Sequence, residues 1–563
     1  FLSSYLYLDF TTHIPIYKSS YVQGRKMFNL ALLLGIYGYL ILLLGFLSLL
    51  NRDNILVLTI SSIFVFIYIN RKNLRFSFNL NKLKEKGLFF NLLLAIITIT
   101  AVVNLLGALA PELAFDALWY HLTLPKLYLL NHSFYFIPGG TLYYSTMPQL
   151  TEMYDLAAPA WNGEIPAKVS HFLCGLGSCF SIFKISRKYL NENLAMLAVV
   201  IFYANLVVAW ESTTAYIDLA RTFFEVMAFW SLLNWEETRE KKWFYSSAII
   251  AGLAISTKIL SFATLGILLT LIAIFLRKEK ARIVVKHMLR YFLTAFIIPV
   301  PFFIHSFLYR GNPFYPIFSK ELQAQVQTQL PSINPLTFFS SIWNVLTNAA
   351  DPISPIYIII IPLIFFVFKK FSSSEKLIVI FSFLSLIAWY ITPQEGGGRF
   401  MLPYLPVMSV LVAVTINKLK AYKHIYKVLI GVVIFLSLIT IGYRGVANKR
   451  YLNVVLGRET KEEFLAKHLE FDAGNFADID GYFKDNIKRN DKVLLYGFHN
   501  LYYVNFPFID ASWVKEGDKF NYIAVKESIL PDRFKNWNLI YENKLSGVKL
   551  YLNNREFFTY FPE

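Results

Sequence analysis

Glu112, Asp116, His121 and Lys126 fall within the stretch ELAFDALWYHLTLPK (112–126), between two runs apolar enough to lie in a bilayer. A carboxylate set among aromatic rings, with an imidazole and an amine close behind it, is suited to taking a proton from a hydroxyl while a cation holds an anionic group. Similar groups recur beside later apolar runs: Asp218 and Arg221 in AYIDLARTFF, Lys258 in GLAISTKILSF, and Arg399 after the turn PQEGGG. An ionisable side chain costs roughly 2.5–3.5 kcal/mol at the centre of a span on insertion scales, so those that persist usually face an interior cavity. Each also has a structural reading. Asp218 and Arg221, three residues apart, could neutralise one another on one helix face, and Lys258 and Arg399 could snorkel to the interface. His121 reads as a hydrogen-bonded orienter, because no second His or Cys stands at ligand spacing. Single carboxylates at 112, 116, 152, 155, 211 and 218 could meet a divalent cation if folding joined two of them, so the metal is left open.

The elements that must position these groups follow from composition. Of 563 residues, 56% are hydrophobic, 17% aromatic and only 16% charged, which excludes a soluble protein. At about 20 residues per span the chain offers about thirteen transmembrane helices, from 28–50 to 427–443. Those nearest the polar residues are 88–110, 166–186, 216–234, 243–257, 259–276, 291–308 and 400–416. The expected fold class is a polytopic α-helical membrane protein with a small C-terminal α/β soluble domain. Residues 1–87 read as a cytoplasmic lead-in with two extra N-terminal spans, 88–443 as the transmembrane core with an external loop at 111–165, and 444–563 as the extracytoplasmic domain. Within the loop, PKLYLLNHSFYFI and MPQLTEMYDLAAPAW look like short interfacial helices. In the C-terminal region 492–498, 520–527, 538–543 and 547–554 read as strands and 476–489 as an amphipathic helix, with no phosphate loop or nucleophile elbow.

The net charge of +17 is a matter of topology rather than nucleic-acid binding. Connections 70–87, 186–192, 235–242, 277–290, 369–376 and 417–427 carry 24 Lys/Arg against 7 Asp/Glu, whereas 51–53, 111–165, 309–352 and 393–399 carry 5 against 9. The first set is therefore expected in the cytoplasm with Arg25 and Lys26, and the Asp116 loop and C-terminal domain outside the plasma membrane. Cys174 and Cys179, five residues apart in one span, imply neither a disulfide nor a zinc site. Residues 1–26 lack a signal-peptide cleavage pattern.

The pieces FDALWYHLTLPK (115–126), STMPQL (145–150), AYIDLA (215–220), GLAISTK (252–258), GNPFYP (311–316) and RFMLPYLP (399–406), in this order, resemble the GT-C glycosyltransferases. The family 39 branch, with the protein mannosyltransferases and bacterial lipid A aminoarabinose transferases, is the most similar. The resemblance implies an inverting transferase that takes a sugar from a polyprenyl-phosphate donor and gives it to a lipid, glycan or protein acceptor at the extracytoplasmic face. Asp116 matches the family's loop aspartate and would be the general base. Lys126, Lys258 and Arg399 would hold the donor phosphate, Asp218 and Arg221 would orient a cation or sugar hydroxyls, and Tyr120, His121 and Tyr144 would line the sugar or acceptor site. Two departures stand out: Ala117 replaces the family's Glu after the aspartate, and Thr146-Met147-Pro148 lacks the Lys often found before that proline. The first weakens a metal at this loop and the second leaves the phosphate partner open among the three cations. A transporter or flippase of a lipid-linked or anionic substrate is the alternative, opposed by the absence of two related halves. A membrane scaffold or sensor with a vestigial pocket is a third.

Overall fold

The computed structural model describes residues 18–71, 86–160, 163–320, 334–347, 351–392, 397–553 and 556–561. In lipid an apolar run can satisfy its backbone only internally, and each of the thirteen expected segments contains helix. Among the described residues, seven helices can cross a membrane by length and composition: Lys26–Phe46, Arg52–Asn70, Leu88–Ala108, Ile165–Ser186, Ser373–Tyr390, Gly397–Lys418 and Lys423–Val455. The others are shorter, broken or polar, and these irregular segments build the interior. The expected span 291–308 is a pair, Ala281–Phe296 and Val300–Arg310, bent by 65°. Pro299 and Pro301 supply the break, since neither has an N–H for the helical ladder.

Asp218–Thr238 is the central helix. It packs between Ile165–Ser186 and Lys241–Thr257, and is buried along nearly its whole length. Lys241–Thr257 ends where Lys258 turns extended, and the chain resumes as helix at Ile259, so one long apolar run becomes two pieces hinged at a lysine. The chain has the multi-pass helical architecture its composition requires, and Cys174 and Cys179 lie buried and unpaired within it.

In the 111–165 loop, Thr123–Leu130, Leu150–Asp155 and Ala157–Ala160 are helical, while the rest of PKLYLLNHSFYFI beyond residue 130 is not. The last span runs through the expected boundary at 443/444 as far as Asn448. Beyond it a five-stranded sheet has the order β2-β1-β4-β6-β5, with β1 Val493–Tyr496, β2 Phe508–Asp510, β4 Tyr522–Lys526, β5 Asn538–Asn543 and β6 Val548–Leu552. β1 pairs in parallel with β2 and β4, and β6 antiparallel with β4 and β5. β3 (Lys519–Phe520) and β7 (Phe558–Thr559) form a separate ribbon. The strands expected at 492–498, 520–527, 538–543 and 547–554 are present, but β2, β3 and β7 are too short to register as apolar runs. The helix expected over 476–489 shrinks to Tyr482–Asn486. Gly481 is left-handed there, the Asp478 carboxylate accepts from the Phe483 and Lys484 N–H groups at 3.3 and 2.8 Å, and the preceding residues stay outside the helix, with Phe476 in the core.

Candidate active site

Four segments distant in sequence deliver one polar cluster. Asp116, itself helical in backbone, leads into a π-helical turn at Ala117–His121, a widened geometry frequent at functional sites. Asp218 starts the central helix, Lys258 sits at the break, and Arg399 lies in the tight turn Gly397–Tyr404. Arg399 Nη1 donates to Asp116 Oδ2 at 2.7 Å, and its Nε stands 3.8 Å from Asp218 Oδ2. Lys258 Nζ donates to Asp218 Oδ1 at 2.8 Å. One guanidinium thus bridges two carboxylates, and the ammonium holds the second. The Arg399 guanidinium also lies 4.9 Å from the centroid of the Tyr216 ring, and Lys258 Nζ 4.9 Å from that of Phe400.

The backbone around the cluster is fixed by buried groups. Glu112 accepts from the Leu113 and Ala114 N–H groups through Oε1 at 2.8 Å each, and from Ala215 N–H through Oε2 at 2.6 Å. It thereby pins the Asp116 loop to the segment leading to Asp218. Tyr216 Oη accepts the Asp116 N–H at 3.3 Å, a second tie between the same segments. His171 completes the frame: its Nε2 accepts from Leu219 N–H at 2.8 Å, and its Nδ1 donates to the Glu211 and Thr214 carbonyls. Asp351 Oδ2 accepts the Arg399 N–H at 2.9 Å. A Cβ on Gly398 would collide with the Asp351 carbonyl, so only glycine lets the Arg399 turn approach this closely. Burial pushes the Asp351 carboxyl up to about 6 against the pull of Arg399.

The remaining expected residues divide. Tyr120 and Tyr144 stack at 3.6 Å with an interplanar angle of 7°, and Trp119 meets Tyr144 edge-on at 5.1 Å, making an aromatic wall continuous with the Asp116 turn. His121 Nδ1 lies 2.8 Å from Glu152 Oε1, in the position of an oriented ring. Arg221 is not in the cluster and does not neutralise Asp218. Its Nε donates to Glu225 Oε1 at 2.6 Å, and that carboxylate also accepts from Ser261 and Thr264. Asp218 is already held by Lys258, which leaves the acid one turn further along to Arg221.

Lys126, expected among the phosphate ligands, is engaged by the C-terminal domain instead of the cluster. Its ammonium donates to the carbonyls of Leu501, Tyr502 and Val504 at 3.2, 2.7 and 2.5 Å, clamping the loop to the C-terminal domain. Burial, with Lys461 nearby, pushes it down to about 7.

Glu211, Tyr216 and Asp351 enter the site without having been assigned roles from sequence. Glu211 was visible only as one carboxylate among six, and Asp351 follows residues with no motif. Glu211 is wholly buried, with His171 Nε2 3.8 Å from Oε2. Both its oxygens, with Asp218 Oδ2 and Arg399 Nε, have no hydrogen-bond partner among the described residues. Among the described residues no group of three or more His, Cys, Asp or Glu side chains is arranged to hold a metal ion.

Residues 160–305 match the family described as dolichyl-phosphate-mannose-protein mannosyltransferase. Comparison with curated protein sequences finds no match. Among solved structures, ArnT from Cupriavidus metallidurans bound to undecaprenyl phosphate is similar with a TM-score of 0.57 and 12% identity, over 81% of this chain and 97% of that one. Its apo state gives 0.54 and 11% over the same shares. The archaeal oligosaccharyltransferase AglB from Archaeoglobus fulgidus, in complex with an inhibitory peptide and a dolichol-phosphate, gives 0.43 and 13%, over 77% of this chain and 69% of that one. The chain has the membrane fold of ArnT, over all but a few per cent of that protein's length.

Proposed function

We propose that this chain is an inverting glycosyltransferase that moves a sugar from a polyprenyl-phosphate donor to an acceptor at the extracytoplasmic face of the plasma membrane. The observation that carries the reading is the joining of Asp116, Asp218, Lys258 and Arg399 in one cluster at the loop side of an ArnT-like bundle. The family match over 160–305 includes Asp218 and Lys258, and undecaprenyl phosphate, bound in the ArnT structure, is a polyprenyl phosphate.

In this reading the acceptor hydroxyl oxygen attacks the anomeric carbon from the side opposite the phosphate. The bond from that carbon to the phosphate oxygen breaks, polyprenyl phosphate leaves with the electron pair, and the hydroxyl proton passes to Asp116. A phosphate is already a stable anion, so no second carboxylic acid is needed, unlike the pair in glycoside hydrolases. Arg399 and Lys258 are the cations for that phosphate: the guanidinium by its forked donors and the ammonium as a point charge. Before the donor arrives Arg399 is engaged by Asp116. The donor phosphate competes for the guanidinium, loosening the pair and freeing Asp116 Oδ2 to accept the hydroxyl proton as substrate binds. Asp218 remains behind as the counter-charge that keeps Lys258 and Arg399 in place. Tyr120 and Tyr144 offer an aromatic wall for the sugar, and the acceptor is a lipid, glycan or protein hydroxyl.

The test is release of free polyprenyl phosphate by the purified chain in lipid, across a panel of sugar-loaded carriers. Turnover with at least one carrier is expected. Transport of the intact carrier without release would replace this reading by a flippase. Orientation is read by placing a cysteine at exposed Lys535 in the C-terminal domain: Lys535→Cys should react with an impermeant maleimide from outside whole cells, and protection there would reverse the topology.

A further inference from the structure

A second cationic site lies away from the Asp116 cluster, on the last span. Arg444 is on the buried face of Lys423–Asn448 and is only 8% exposed. Its Nη2 donates to Asn448 Oδ1 at 2.8 Å and approaches Thr213 Oγ1 at 3.4 Å, while its Nε has no partner. No carboxylate pairs with it among the described residues. Asn448 in turn donates to the Val103 carbonyl at 2.7 Å, placing the guanidinium in the seam between Leu88–Ala108 and the last span.

The surroundings add positive charge rather than removing it. Arg450, exposed on the next turn, donates through Nη2 to Tyr451 Oη at 2.9 Å and lies 4.9 Å from that ring's centroid. Lys168 Nζ is 5.8 Å from the same centroid, with its hydrogen bonds spent on the Ala110 and Pro111 carbonyls. Glu164, the carboxylate that interacts with Lys168, is occupied by Lys461, Tyr502 and Tyr503. Two cations, Arg450 and Lys168, therefore gather at Tyr451, and Arg444 reaches the seam with its Nε uncommitted.

An arginine buried near the end of the last span without an acid calls for an anion from elsewhere. Beside Arg450, this seam exposes a run of apolar side chains, Val102, Tyr443, Val446, Leu452 and Leu456. A guanidinium flanked by such a surface matches a phosphate attached to acyl chains, with the planar fork reading two phosphate oxygens and the apolar rim taking the chains. We propose that Arg444, supported by Arg450, binds the phosphate of an anionic lipid headgroup in the seam between Leu88–Ala108 and the last span. The bound lipid would brace the segment at Thr213 from which Asp218 is delivered, coupling the bilayer to the polar cluster.

The proposal stands apart from the catalytic reading, because lipid retention is read without turnover. The full chain is extracted from vesicles of equal phosphatidylglycerol and phosphatidylcholine, and the lipids it keeps are counted by native mass spectrometry. Wild type should retain one phosphatidylglycerol under conditions that strip phosphatidylcholine. Arg444→Gln should lower that retention by about tenfold or more, the scale of a charge-assisted hydrogen-bonded pair. Arg444→Lys, which keeps the charge, should retain it in part, separating loss of charge from loss of fold. Equal retention by wild type and Arg444→Gln, or equal retention of the two lipids by wild type, overturns the proposal. Addition of inorganic phosphate identifies the source: an unchanged phosphatidylglycerol count supports the lipid, whereas displacement keeps a phosphate site but assigns it to a soluble phosphate and overturns the lipid.

Discussion

At the joint between the C-terminal domain and the 111–165 loop, Glu164 accepts from Lys461 at 2.8 Å, from Tyr503 at 3.0 Å and from Tyr502 at 3.3 Å. Lys126 fills three carbonyls across the same boundary. At the Asp116 cluster, likewise built of carboxylates and cations, with ion pairs at 2.7, 2.8 and 3.8 Å, Asp218 Oδ2, Arg399 Nε and both oxygens of Glu211 have no hydrogen-bond partner among the described residues. A buried polar group left unpaired costs about 1–3 kcal/mol, so the first region is satisfied as it stands and the second gains by receiving a ligand. The contrast separates residues that hold the molecule together from those left open to a ligand. It also explains why Lys126, which sequence alone groups with the catalytic residues, belongs to the joint.

The contrast is sharpest at Arg399. Arg399→Gln should lower donor turnover by about 10²–10³-fold, the scale of removing one preorganised charge-stabilising donor, with little change in Tm. An unchanged rate at unchanged phosphate release would move the phosphate elsewhere.

At the joint the opposite pattern is expected. Glu164→Gln should cost about 1–3 kcal/mol of stability, seen as a lower Tm and faster proteolytic release of the C-terminal domain, with a smaller effect on the rate. Burial opposes ionisation of Glu164, but Lys461 beside it holds its carboxyl below the usual range. A depressed folded-state value means that this stabilisation is complete above the unfolded value, about 4.3, and is lost as pH falls through the folded one. Glu164→Gln should remove that acid limb, and a limb that survives would place the titration in another group.

Asp351, at the cluster, should behave in the reverse sense. Its carboxyl is raised to about 6, so the folded state binds the extra proton between the unfolded value, about 3.9, and 6. Raising the pH across that window costs stability. Asp351→Asn should flatten the slope of Tm over this window, with the smallest change in rate of the three variants. A slope identical to wild type would leave the raised carboxyl without consequence.

Much of the architecture was legible because a bilayer imposes length and hydrophobicity on each span. Asp218, Lys258 and Arg399 stood out as charges against apolar runs, and Asp116 as a carboxylate among aromatic rings. What stayed hidden depends on distance. Lys126 finds carbonyls some 375 residues away, which no local pattern announces. Arg221 had an acid on either side, at Asp218 and Glu225, and only the fold decides between them, by giving Asp218 to Lys258. Asp351 is invisible because its task is to accept one backbone N–H. The bend was missed because its prolines fall inside the apolar run 291–308, which was read as a single span while 277–290 was read as a connection, and the short strands carried too few residues for a period to appear.

The most direct test of the central claim is single-turnover release of polyprenyl phosphate from sugar-loaded carrier, comparing wild type with Asp116→Asn, which keeps the size and removes the base. Donor binding is measured in parallel. A loss of about a hundredfold or more in the chemical step, with the donor still bound, is the predicted result for a general base. Equal single-turnover rates would show that the proton leaves by another group and that the Asp116–Arg399 pair belongs with the structural joint.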